Sequence, residues 1–122
     1  MLYESITERI IACAIEVHKE LGPGLLESVY ESALAIELFQ QGLHFHRQKQ
    51  LPVMYKGESI GDFRIDLLVE ETVVVELKSA ERPDPVFEAQ LLSYMKLGGY
   101  KVGLLINFHS LLLTKGIKRL VM

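Results

Sequence analysis

Cysteine is almost missing from this chain. Cys13 is the only one, so no disulfide can form within it. Long apolar runs are missing too: nothing approaches the ~20 residues that a membrane-spanning helix needs. The opening Met-Leu-Tyr-Glu-Ser-Ile-Thr-Glu-Arg lacks the basic-then-apolar pattern of a secretion signal. These lacks lead us to expect a protein of the reducing cytoplasm with no membrane partner. Positive charge is not in excess either. A net charge of −3 argues against a large, non-specific polyanion binder, which is usually basic. It leaves room for a metal-dependent enzyme acting on nucleic acid, because bound cations offset local acids. There are no repeats, low-complexity tracts or linkers, and 122 residues suit a single domain, 1–122. The 49% hydrophobic and 24% charged shares are those of a globular chain with a real core.

The pattern of residues predicts α-α-β-β-β-α-β-β. Ser5 to Glu8 reads as a capping box, and Ile6, Ile10, Cys13, Ala14, Val17 and Leu21 follow at helical spacing. A first helix is therefore expected from about Ile6 to Leu21, stopped by Gly22-Pro23-Gly24. A second runs from about Leu26 to Gln41, with Gly42 as a left-handed stop. Strand character begins near Leu43. Asp84-Pro85 marks a third helix, as an N-cap acceptor followed by proline at the first helical position, and Gly98-Gly99 ends it. Val102 to Asn107 is a buried strand, and the last strand lies near Gly116 to Val121. Lys115, Lys118 and Arg119 fit a charged edge strand, which guards against aggregation, or a phosphate-facing patch. This order implies one mixed sheet with helices packed against it.

The densest signal lies in the segment from Phe63 to Lys78, two β-rich runs around a short acidic turn. Alternation puts Phe63, Ile65, Leu67 and Val69 on one face, and Val74, Glu76 and Lys78 together on a face of the second strand. A hairpin centred on Glu71 sets Asp66 across from Glu76. It also pairs Ile65 with Leu77, Leu67 with Val75 and Val69 with Val73. A slip of one residue would break every apolar match. Two facing carboxylates repel unless something neutralises them. A hard divalent cation such as Mg²⁺, which takes oxygen ligands, would do so. Lys78, on the same face, would then steady an attacking water or the charge growing on a phosphate. The plainer alternative is a solvated sheet face on which Lys78 pairs with either acid.

With Asp66 on one strand and Glu76-Leu77-Lys78 on its neighbour, the arrangement resembles the PD-(D/E)XK nuclease superfamily. Gly24-Leu-Leu-Glu27-Ser-Val-Tyr30 is similar to the signature of the small GxxExxY proteins placed in that superfamily, as is most of Glu16 to Glu27. Gln90-Leu-Leu-Ser-Tyr94 is similar to the Gln-x-x-x-Tyr element on the helix after the Glu-x-Lys strand. The blocks run in order from about Ile10 to Leu105. The resemblance implies an α/β, restriction-endonuclease-like fold with an αβββαβ core and a central mixed sheet flanked by helices. It implies Asp66 and Glu76 as ligands of Mg²⁺ or Mn²⁺, with the Leu77 main-chain carbonyl as a third. Lys78 would orient or activate the water, Glu27 would supplement the metal site, and Gln90 and Tyr94 would line the cleft. Ile65 stands where the pattern often has proline.

Other residues carry weaker readings. Tyr30 shares a helix face with Glu27 and joins the expected substrate cleft. His18 would contact a phosphate or donate a proton, or else cap the end of the first helix. His44, His46 and His109 show no metal-ligand spacing. Gly22 and Gly24 lack the strand before and the Gly-Lys-Ser/Thr after that a phosphate loop needs. The expected function is metal-dependent hydrolysis of phosphodiester bonds in nucleic acid, with DNA favoured over RNA as the substrate. The alternatives are a non-catalytic nucleic-acid or protein-binding module that keeps the nuclease fold, and a structural protein that self-associates through its last strand. A homodimer would enlarge the small footprint of one 122-residue unit on a duplex.

Overall fold

The apolar periodicities condense into three layers around one five-stranded sheet. This structure is a computed structural model that describes residues 2–122. Two helices come first, α1 (Glu4–Leu21) and α2 (Glu27–Gln40). The strands β1 (Phe45–Tyr55), β2 (Glu58–Val69) and β3 (Val73–Lys78) follow. Helix α3 (Pro85–Gly98) then leads to β4 (Val102–Asn107) and, after a 3₁₀ turn, to β5 (Ile117–Val121). The strands lie in sequence order across the sheet. All pairings are antiparallel except β3 with β4, which α3 joins as a parallel crossover. The mixed α/β architecture is therefore as the sequence indicates.

Each face of the sheet buries its own core. Leu67, Val69, Val75, Leu77, Leu104 and Ile106 pack under α1 and α2. Ile65, Leu68, Val74 and Leu105 pack under Leu91 and Met95 of α3. The bare Gly103 lets α3 come this close, because a Cβ there would sit 2.7 Å from the Met95 sulfur. Asp84 caps α3, its Oδ1 accepting from the Val86 N–H at 3.0 Å, with Pro85 at the first helical position. The cluster of Lys115, Lys118 and Arg119 falls on or beside β5, the sheet edge, where Lys118 pairs with Glu88 at 2.9 Å.

Two local expectations are corrected. Helix α1 begins at Glu4, capped by a left-handed Tyr3 without a side-chain bond, so Ser5 and Glu8 form no capping box. The earlier start, by about two residues, comes with Tyr3 and Ile6 packed against the core, which outweighs a solvent-exposed cap. The β2–β3 hairpin keeps the expected pairs Leu67 with Val75 and Val69 with Val73, but its ladder ends there. Ile65 and Leu77 do not pair. They belong to opposite cores, because the apolar side of β2 changes at Asp66.

Tyr30 is wholly buried and stacks on Phe108 with ring centroids 4.3 Å apart. Its hydroxyl donates to the Gly22 carbonyl at 2.5 Å and accepts from the Leu25 N–H at 3.1 Å. It thereby pins the glycine-rich turn between α1 and α2. Tyr30→Phe takes this partner from both part-buried main-chain groups and is expected to lower stability by ~1 kcal/mol in urea denaturation.

Candidate active site

The antiparallel β2–β3 ladder would normally continue through Asp66 and Glu76. The two strands part there instead, and their acids take over the main-chain groups that the ladder leaves free. The Asp66 N–H donates to Glu76 Oε2 at 3.3 Å, and the Leu77 N–H donates to Asp66 Oδ2 at 2.8 Å. The carboxylates are thus drawn together at the mouth of a fork, by bonds that satisfy buried amides. On its other side β3 is secured by β4. Lys78 pairs with Asn107, whose side-chain amide closes on both main-chain groups of Ala80 at 3.0 and 3.1 Å. That clasp fixes the exit of the strand that carries Glu76 and Lys78.

Glu76 is only 4% exposed. Burial pushes its carboxyl up from 4.5 to about 9, helped by a hydrogen bond to the Asp66 carboxyl and by that group's charge. The Asp66 N–H bond and the Lys78 ammonium oppose the shift without overcoming it. Lys78 donates to Gln90 Oε1 at 3.0 Å, and its ammonium sits 4.8 Å over the Phe87 ring. Among the described residues it makes no ion pair within 4 Å of a carboxylate. Tyr94, one turn beyond Gln90 on α3, stacks on Phe63 at 4.6 Å. Burial raises the Tyr94 phenol above its usual range, and the nearby Glu76 charge adds to the effect.

Asp66, Glu76, Lys78, Gln90 and Tyr94 thus meet on the α3 side of the fork. The other sequence candidates lie elsewhere. Tyr30 is in the core, not on a cleft. His18 holds the segment after β4, its Nε2 2.7 Å from the Ser110 carbonyl. Glu27 is exposed at the first position of α2 and makes no hydrogen bond or ion pair with the described residues. The helix acid that reaches the fork is Glu31, one turn later and 8% exposed. Gln48 Nε2 lies 2.5 Å from Glu31 Oε1 and 3.2 Å from Asp66 Oδ1, so one amide spans the two acids. Sequence reasoning missed both residues. The i, i+4 spacing of Glu27 and Glu31 places them on one face and was the available signal for Glu31. For Gln48 there was none.

The donor set suits a hard divalent cation: two crowded carboxylates, one strongly desolvated, and among the described residues no cation paired with either. Among the described residues no group of three or more His, Cys, Asp and Glu side chains could hold a metal. Main-chain oxygen, as at Leu77, and water would have to complete the shell.

A five-stranded mixed sheet between helices, forked at an Asp and Glu-x-Lys pair, is consistent with the restriction-endonuclease-like class. A family model described as the PD-(D/E)XK nuclease superfamily matches residues 4–120, and the chain belongs to that superfamily. No curated protein and no solved structure matches it significantly. No helix among the described residues is long and apolar enough to cross a membrane.

Proposed function

We propose that this chain is a divalent-metal-dependent nuclease that hydrolyses phosphodiester bonds of nucleic acid, with DNA rather than RNA as its substrate. The observation that carries this reading is the fork itself. The β2–β3 ladder stops at Leu67 and Val75, and beyond it two acids crowd beside an ammonium that, among the described residues, pairs with neither. A fold gains no stability from that arrangement, and a reaction centre needs it.

Asp66 and Glu76 would hold Mg²⁺ or Mn²⁺, with the Leu77 carbonyl beside them. The bound ion supplies the positive charge that offsets the phosphate as it gains negative charge. The protein's own groups do the rest. Lys78, steadied by Gln90 and the Phe87 face, directs an N–H at the entering water or at a phosphate oxygen. Water oxygen bonds to phosphorus and gives up a proton to solvent as the bond to the leaving sugar oxygen breaks, and that oxygen takes up a proton from solvent. Tyr94 and Phe63 give an aromatic wall against which a base or sugar can lie. The site would work in the cytoplasm, where the buried Cys13 stays a thiol, and pairing of two copies would extend its footprint on a duplex.

The test is a panel of plasmid, linear duplex, single-stranded DNA and RNA, with Mg²⁺ or Mn²⁺ and with EDTA. We expect metal-dependent cutting, strongest on DNA. Metal binding and nucleic-acid binding without cleavage of any substrate would overturn the nuclease reading and leave a binding module.

A further inference from the structure

In the β1–β2 ladder every pair from Phe45 with Val69 to Leu51 with Phe63 keeps one register, with a single rung missing. Arg47 pairs with Leu67 and Lys49 with Ile65, but Gln48 and Asp66 between them do not pair. Gln48 has φ +52°, a left-handed conformation that a non-glycine residue in mid-strand adopts only under constraint. The twist turns its amide away from an ordinary strand position and toward two acids, Glu31 of α2 and Asp66 of the fork. Glu31 is fixed in turn by Arg47, whose Nε donates to Glu31 Oε2 at 3.0 Å and whose Nη2 donates to Ser32 Oγ at 3.0 Å.

Asp66 is therefore held by both oxygens. Leu77 N–H grips Oδ2 and the Gln48 amide grips Oδ1. A carboxylate has about four lone-pair sites, so one bond on each oxygen fixes its plane and leaves sites free to face Glu76. A strut between α2 and β1 alone would not need a strained backbone, since Arg47 already joins β1 to Glu31 from a regular position. The irregular rung is spent on reaching Asp66.

We propose that Gln48 is a positioning residue that sets the plane of the Asp66 carboxylate for its ion, with buried Glu31 as its anchor. This rests on the metal-dependent reading above. Groups that orient a metal ligand typically change metal affinity by about 10–100-fold when removed.

The experiment measures Mn²⁺ binding by calorimetry on the full chain as wild type, Gln48→Gly, Gln48→Met and Asp66→Ala, with circular dichroism to verify folding. Gln48→Gly relieves the left-handed backbone and deletes the amide, whereas Gln48→Met keeps length and strain and deletes only the amide. Both should bind Mn²⁺ about 10–100-fold more weakly while folded. Saturating Mn²⁺ should restore most of the lost cleavage rate, which a merely structural defect would not allow. Wild-type affinity in either variant, with binding abolished in Asp66→Ala, would overturn the role of Gln48 and leave the metal site standing. Absence of Mn²⁺ binding by the wild type would overturn the metal reading and this proposal with it.

Discussion

Lys78→Met should lower kcat/KM for DNA cleavage by about 10²–10³-fold, the usual loss when one preorganised charge or donor is taken from a reaction centre. Methionine keeps the length of the stem that crosses Phe87, so packing is largely spared. Mn²⁺ affinity measured by calorimetry should survive, because the ammonium is not a ligand and no carboxylate lies within ion-pair distance of it among the described residues. Lys78→Arg should recover only part of the loss, since the planar guanidinium cannot take the place of a point charge set against Gln90. Gln90→Ala should be milder than either: it frees the ammonium without removing it. Cleavage that persists at the wild-type rate in Lys78→Met, on protein freed of contaminating nuclease by a matched Glu76→Ala preparation, would remove Lys78 from the mechanism.

The fork was half legible in the sequence, and the reason is physical. Side-chain alternation and the need to match apolar partners fix register strongly, so Leu67 with Val75 could be read directly. Alternation also assumes an unbroken ladder. It therefore predicted Ile65 against Leu77, where the structure diverts the Asp66 amide to a carboxylate and splays the strands. Helix α3 was legible because Asp-Pro acts locally, through one side-chain oxygen and one fixed φ. Tyr30 shows the opposite case. Helical spacing gives the direction of a side chain but not its depth, and the stack on Phe108, which lies 78 residues further along the chain, has no local trace. The same limit separates Glu27 from Glu31. Both lie on one helix face, and only the height at which α2 crosses β1 decides which of them reaches the fork. Gln48 was invisible, because nothing in glutamine announces a positive φ.

Glu76→Gln should make the metal-free protein more stable at pH 8 and flatten its stability against pH. The folded state holds the Glu76 proton until about 9, whereas the unfolded chain releases it near 4.5. Between those values the folded state binds more protons than the unfolded one, so stability falls as pH rises through the window and levels off above it. The slope cannot exceed about 1.4 kcal/mol per pH unit for one proton. Because local relaxation on ionisation offsets part of the repulsion, we expect a total loss of ~2–4 kcal/mol from pH 5 to pH 9, below the linkage ceiling. Glutamine removes the titration, still accepts from the Asp66 N–H, and adds a donor facing the Asp66 carboxylate. Urea denaturation in EDTA across pH 5 to 9 reads the slope for both proteins. Mn²⁺ should then restore the wild type at pH 8 by mass action and leave Glu76→Gln nearly unmoved, since the variant has lost a charged ligand. A wild-type curve that stays flat, or a variant no more stable than the parent in EDTA, would mean that the two acids do not compete for one space. The fork would then be an ordinary polar seam, because a pair of carboxylates held together at the expense of stability is what separates a metal-binding cleft from a surface that happens to be acidic.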